Sequence, residues 1–332
     1  MQVVRIHQHG GPEVMQVDEV PTPQPGPGQV LVRVAAAGVN FIDIYHRSGQ
    51  YRVPLPFALG REGAGRVEAV GAGVTEFGEG QPVAWAGVGG SYATHVLATP
   101  ADVVPVPAGF DLREAAAAML QGMTAHYLTH STFPLQAGQS CLIHAAAGGV
   151  GQLFCQMARM RGVSPIIGTA GSEEKARLAK QAGADDVILY REQDFLAEVM
   201  RLTNGAGVDV VYDSVGKDTF MKSLSAVKRR GTLVLFGASS GPVPPFDVNE
   251  LQNHGSAYLT RPTLGHYTAT RDELLWRSGD LFSWIQAGKL KVRIERTYSL
   301  HEAGIAQRDL ASRMTAGKLL LEPSGLAAEG SP

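Results

Sequence analysis

The spacing of apolar positions changes twice along this chain. Over the first hundred residues they fall in short Val-rich runs separated by turn residues. "QVLVRVAAAG" (29–38) follows the Pro/Gly segment "PTPQPGPG" (21–28), and "GAGRVEAVGAGVTEFGEGQPVAWAG" (63–87) alternates Val with polar residues and bends at glycines. A period of two between Gly-rich bends predicts short strands, arranged as a small barrel or sandwich. Near residue 111 the texture turns helical in "DLREAAAAMLQGMTAHYLTH", where Asp111 and Glu114 have the spacing of an N-terminal cap.

From residue 139 strands and helices alternate. The apolar runs "SCLIHA" (140–145), "SPIIGTAG" (164–171), "DVILY" (186–190), "VDVVYDSVG" (208–216) and "TLVLFG" (232–237) read as strands. Between them "GQLFCQMARMRG", "SEEKARLAKQAG", "DFLAEVMRLTNG" and "DTFMKSLSAVKRRG" read as helices. Repeated strand–helix units predict an α/β fold with a doubly wound parallel sheet. After about residue 258 the alternation stops. "ELLWRSGDLFSWIQAG" (273–288) reads as a helix anchored by Leu274, Leu281, Trp284 and Ile285, "KLKVRIERTYSL" as a strand and "EAGIAQRDLASRMTAG" as a helix. The tail carries no apolar anchor, and residues 326–332 are expected to be disordered.

Length and charge narrow the picture further. A chain of 332 residues is too long for one ordinary core, so two domains are expected. Lys plus Arg number 29 and Asp plus Glu 31, a net charge of −2 that gives no bulk attraction to nucleic acid or anionic lipid. The one compact basic cluster, "KRR" (228–230), is expected at a helix end, where positive charge complements the helix dipole, so nucleic acid is not the expected partner. No apolar stretch approaches a membrane span, and "MQVVRIHQHGG" lacks the pattern of a signal peptide. Two cysteines, Cys141 and Cys155, are too few for a disulfide framework, and the expected location is the cytoplasm.

The chemistry begins at "HAAAGGVGQ" (144–152), between the first strand and the first helix of the alternating region. Ala146, Gly148 and Gly151 have the three-position spacing of a dinucleotide fingerprint, with Ala at its first position; Gly149 and Val150 complete the loop. Such a loop lets backbone amides at a helix N-terminus approach a pyrophosphate. Its place inside an unbroken strand–helix series lifts it above a bare motif. About twenty residues on, an NAD site carries an acid that binds the ribose 2′-hydroxyl. Here the second strand ends "GTAGSEEK", with Gly171 and Ser172 at that point and Lys175 one turn along the helix. A hydroxyl and an ammonium suit a 2′-phosphate, so NADPH is the expected cofactor. Glu173 and Glu174 read as first-turn acids facing solvent. His144 reads as a packed, hydrogen-bonded strand residue.

"HAAAGGVG", together with "GGPEV" (10–14), "GVNFIDIYHRSGQY" (38–51), "VVYDSVG" (210–216) and "LTRPTL" (259–264), resembles the zinc-independent quinone oxidoreductases. These are zeta-crystallin-like members of the medium-chain dehydrogenase/reductase superfamily, and the resemblance runs in order over roughly residues 3 to 323. It implies a GroES-like β-barrel catalytic domain (1–120 plus 258–325) into which a Rossmann NADPH-binding domain (121–257) is inserted, and a homodimer.

Where zinc-dependent relatives place a cysteine ligand this chain has Asn40, and their Gly-His-Glu ligand motif reads "GRE", with Arg61 before Glu62. No metal is expected, and Glu62 without a metal is not expected to be catalytic. The resemblance puts Asn40, Tyr45 and Tyr51 near the nicotinamide as candidate catalytic residues, Asn40 also as a cofactor contact. For the two tyrosines a packing role stands beside the catalytic one. It likewise implies cofactor contacts for Thr124, Tyr190, Ser214, Phe236, Gly237, Ser239, Arg261 and Arg313, with a surface-charge reading open for both arginines. The implied reaction is reduction of a quinone by NADPH. An enone or alkenal double-bond reductase and a non-enzymatic NADPH- or RNA-binding protein are the rival readings.

Overall fold

The Val-rich runs of the first third pair antiparallel, as their period of two predicts. Among residues 1–323, which this computed structural model describes, the strand Val30–Val39 is the longest and sits inside a seven-stranded sheet. It pairs with Glu62–Val70 on one side and, at the other end, with Lys318–Glu322, where Leu320 stands opposite Gly38. The C-terminal strand is therefore built into the sheet of the first hundred residues. Val30, Val32 and Val34 pack with Val67, Val83, Trp85, Leu319 and Leu321 in one core. Burial of such side chains contributes roughly 1.5–3 kcal/mol each. Gly38 is required on this strand, since a methyl group there would strike the Glu62 carboxylate and come within 2.6 Å of Lys318 Cε.

A short helix, Phe41–Ser48, leaves the end of that strand. Its first turn is closed by Asp43, whose Oδ2 accepts the Asn40 backbone amide at 2.9 Å. Gly49 ends it at φ 82°, the left-handed conformation that favours glycine. Asp111 caps the helix Leu112–Tyr127 by accepting the amides of Arg113 and Glu114.

The alternating region forms six parallel strands: Cys141–Ile143, Ile166–Ala170, Asp186–Leu189, Val208–Asp213, Val227–Leu235 and Tyr258–Thr260. Numbered in chain order they lie 3-2-1-4-5-6 across the sheet. This is the doubly wound order whose direction reverses between strands 1 and 4, opening a crevice at their carboxyl ends. Leu142, Ile167, Ile188, Val211 and Leu233 are buried in its core. Cys141 and Cys155 are free thiols, both buried.

The chain divides into two compact units, 1–121 with 270–332 and 122–269. Tyr258–Thr260 supplies the sixth strand, pairing with Thr232–Val234, and so belongs with the parallel sheet. The helix expected to end in "KRR" stops at Ala226, and Lys228, Arg229 and Arg230 lie in the strand Val227–Leu235. Their charge therefore does not cap a helix; Lys228 instead pairs with Asp209 on the adjacent strand. The disorder expected for residues 326–332 lies outside the described residues.

Candidate active site

In the first unit the functional residues converge on the end of the strand Val30–Val39. Glu62 is completely buried, and its carboxylate accepts Asn40 Nδ2 at 2.8 Å, the Leu120 backbone amide and the Lys318 ammonium. Lys318 Nζ also donates to Asn40 Oδ1 at 2.8 Å, and Asn40 Nδ2 donates to Gly38 O at 3.2 Å. The Asn40 amide is thus committed at both ends to a buried ion pair. The Asn40 side chain is 8% exposed and binds Glu62 to the start of the helix Phe41–Ser48.

That helix carries Tyr45, which is buried, and leads to Tyr51, which is 39% exposed. Their rings meet edge to face with centroids 5.2 Å apart. Such pairs add about 0.5–1.5 kcal/mol beyond their area. On the inner side of the helix Asp43 is fully buried and accepts the Tyr92 hydroxyl at 2.8 Å. Burial pushes the Asp43 carboxyl up to about 7, against the lowering effect of the Tyr92 and Asn40 hydrogen bonds. Its second oxygen, Oδ1, has no hydrogen-bond partner.

In the second unit the loop 144–151 turns from strand 1 into the helix Gly149–Met160. Gly148 is the N-cap, extended at φ −72°. Gly151 faces the loop itself: a methyl group there would overlap Ala145 O and lie 2.7 Å from Ala146 Cα, so only glycine lets the helix come this close. Ala146 is fully buried, its amide donates to Thr169 O at 3.0 Å, and its methyl occupies the face left empty by Gly168. It shapes the loop from behind. Gly148, Gly149 and Val150 remain partly accessible.

Strand 2 ends at Ala170, and Ser172 caps the next helix by accepting the Lys175 amide at 3.4 Å. Gly171 stands beside Tyr190 and Arg191, whose Oη and Nε lie 2.8 Å and 3.5 Å from where its Cβ would be. Tyr190 and Arg191 thus meet beside the end of strand 2, with Ser172 and Lys175 in the first turn of the helix that follows it. Arg191 was missed by the sequence reading, although it directly follows Tyr190.

The loops after strands 4 and 5 pack on each other at the same sheet edge. Ser239 N donates to Ser214 O at 3.1 Å, and Gly237 lies so close to Ser214 that a Cβ would come within 2.8 Å of its Cα. Phe236 N donates to Asp213 O at 2.8 Å. Arg261 donates from Nη1 to Leu235 O at 3.0 Å, which holds it at the end of strand 5 while leaving it exposed. Thr124 is buried in the helix Leu112–Tyr127. Arg313, in the first unit, follows the helix Ala303–Ala311 at φ 57° and is exposed.

The donor set at Glu62 does not suit zinc. Asn40 and Arg61 stand at the ligand positions, and the Glu62 carboxylate is already neutralised by the Lys318 ammonium. Among the described residues no group of three or more His, Cys, Asp or Glu is placed to hold a metal ion.

Comparison with known proteins agrees with this architecture. The alcohol dehydrogenase GroES-like domain profile matches residues 26–108, and the zinc-binding dehydrogenase profile matches residues 149–273. A quinone oxidoreductase of Pseudomonas aeruginosa is 47% identical, covering 96% of this chain and 99% of that protein. A 2-haloacrylate reductase from a Burkholderia species is 42% identical over 96% of this chain and 98% of its own length. The Escherichia coli quinone oxidoreductase, solved as a complex with NADPH, superposes with a TM-score of 0.95 at 42% identity, covering 97% of this chain and all of that one. With identity of this order along nearly its whole length, the chain belongs to the quinone oxidoreductase family of the medium-chain dehydrogenase/reductases.

Proposed function

We propose that this protein is an NADPH-dependent quinone oxidoreductase that works without zinc. The observation that carries the reading is the carboxyl edge of the parallel sheet. There the loop with Gly148, Gly149, Val150 and Gly151 opens at a helix N-terminus, and strands 2 and 3 end in hydroxyls and cations with no acid at the ribose position. The loop amides would hold the pyrophosphate, and Ser172, Lys175, Tyr190 and Arg191 the 2′-phosphate. Ser214, Phe236, Gly237, Ser239 and Arg261 would line the rest of the dinucleotide, with Ala146 shaping the loop beneath it. Thr124 and Arg313 complete the set of proposed contacts. Bound there, the cofactor supplies a hydride to the acceptor.

Tyr45 and Tyr51 orient the acceptor, and the Tyr51 hydroxyl donates a hydrogen bond to an acceptor oxygen. Quinones accept hydride readily because the charge that arrives spreads over the ring, so no Lewis acid is required. The neighbour that reduces 2-haloacrylate supports a second reading, reduction of an activated double bond on the same scaffold. Turnover measured with NADPH on 1,4-benzoquinone, 9,10-phenanthrenequinone and 2-alkenals separates them. A higher kcat/KM for alkenals than for every quinone would overturn the first reading.

The protein acts as a homodimer in the cytoplasm in this reading. Tyr258–Thr260 ends the sheet, and Tyr258 is 63% exposed, which leaves a strand edge for a second copy to extend. Free buried thiols at Cys141 and Cys155 suit a reducing compartment.

A further inference from the structure

Ala145 opens the glycine loop at φ 54°, a left-handed conformation that a residue with a Cβ adopts only when its surroundings hold it there. Its amide donates to Thr169 Oγ1 at 3.2 Å. Behind Thr169 runs a buried chain of polar groups, and each link in it has only one consistent direction.

The chain ends at Asp213, the last residue of strand 4. Its Oδ1 accepts the amides of Val215 and Gly216 at 2.7 Å and 3.0 Å; its Oδ2 accepts the hydroxyls of Thr219 and Ser223, both at 2.7 Å. With its one proton given to Asp213, Ser223 Oγ meets His144 Nε2 at 2.9 Å as an acceptor, so Nε2 carries the imidazole hydrogen. His144 is buried, and desolvation lowers its pKa, so Nδ1 is bare and accepts the Thr169 hydroxyl at 3.1 Å. Thr169 Oγ1 then has lone pairs to accept the Ala145 amide.

We propose that His144, fixed as its Nε2–H tautomer between Thr169 and Ser223, is a positioning residue that holds Ala145 left-handed and so sets the shape of the phosphate loop. The chain joins the turn after strand 1 to strands 2 and 4, and it crosses the point where the strand order reverses. Ala145 O is in turn the acceptor for Gly148 N at 2.8 Å and the atom that excludes a side chain at Gly151. A shift of Ala145 would therefore move the amides at the helix start. The inference rests on the reading of this loop as the pyrophosphate site.

The experiment measures NADPH dissociation constants by quenching of intrinsic fluorescence, with no acceptor present. Thr169→Val keeps the side-chain shape but removes the hydroxyl, and binding is expected to weaken about tenfold. Adding Ala145→Gly, which reaches φ 54° without strain, is expected to restore most of the lost affinity. A role confined to packing would not be rescued by a glycine. Thr169→Val binding as tightly as the parent, or a double variant as weak as Thr169→Val, would overturn the proposal. In ¹⁵N-histidine-labelled parent protein, His144 resonating as the Nδ1–H tautomer would do the same and needs no variant to fold. Absence of NADPH binding by the parent would instead count against the functional reading itself.

Discussion

Lys318 Nζ donates to Asn40 Oδ1 at 2.8 Å across 278 positions of sequence, and the same ammonium neutralises the buried Glu62 carboxylate. The positive charge in this buried cluster is an ammonium supplied by the strand Lys318–Glu322. Removing either charged member leaves an uncompensated charge in the interior. Lys318→Met is expected to cost about 3–5 kcal/mol in guanidinium unfolding, because Glu62 is then buried unpaired. Glu62→Gln added to it should recover at least half of that loss. A Lys318→Met protein within about 1 kcal/mol of the parent would show that the pair contributes little.

Asp43 gives a pH dependence whose sign is fixed by its raised pKa. In the folded state it titrates at about 7, against 3.8 for the free residue. Between these values the folded state holds a proton that the unfolded chain has released. Its contribution is therefore fully present below about pH 4 and lost as pH rises toward 7. The difference in unfolding free energy between Asp43→Asn and the parent, followed from pH 4 to 8, should move in favour of the variant by a few kcal/mol as pH rises. A flat difference would mean that Asp43 is charged in the folded protein throughout.

Lys175 tests the choice of dinucleotide. Lys175→Ala is expected to weaken NADPH binding about tenfold and to change NADH binding less than about twofold, since only the first carries a 2′-phosphate. Titration of both cofactors against the variant checks this. Equal losses would place the lysine elsewhere than at the phosphate.

Tyr51 is exposed enough to meet a substrate, and its ring rests on Tyr45. Tyr51→Phe keeps that contact and removes only the hydroxyl. Loss of its hydrogen bond to the acceptor oxygen should lower quinone turnover about threefold, and turnover of 2-alkenals, which also need a proton at carbon, roughly tenfold or more. Parallel losses on both substrate classes would make the hydroxyl an orienting group for either acceptor.

The sequence by itself determined the parallel sheet and the glycine loop. Strand–helix alternation, the spacing of Ala146, Gly148 and Gly151, and the missing acid before Ser172 are all encoded within windows of a few tens of residues. Backbone period and turn chemistry act over that range, and so they could be read. Even the packed state of His144 follows from its place directly after a buried strand. Its partners do not, because Thr169, Ser223 and Asp213 come from three other segments of the chain.

Tertiary structure alone decided the rest. Nothing local to "GKLLLEP" says that Lys318 turns inward, since its burial is tolerable only beside Glu62. Nor does "VNFID" announce that the Asn40 amide bonds both Glu62 and Lys318. "KRR" (228–230) extends a helical pattern, yet Val227 and Thr232 both pair with strand 4 and the three residues fall in the irregular stretch between them. Tyr258–Thr260 is too short to be read as a strand, and only its pairing with Thr232–Val234 shows that it belongs to the parallel sheet. Periodicity reports which face of an element is apolar; which distant polar group a buried charge meets is settled only when the elements pack.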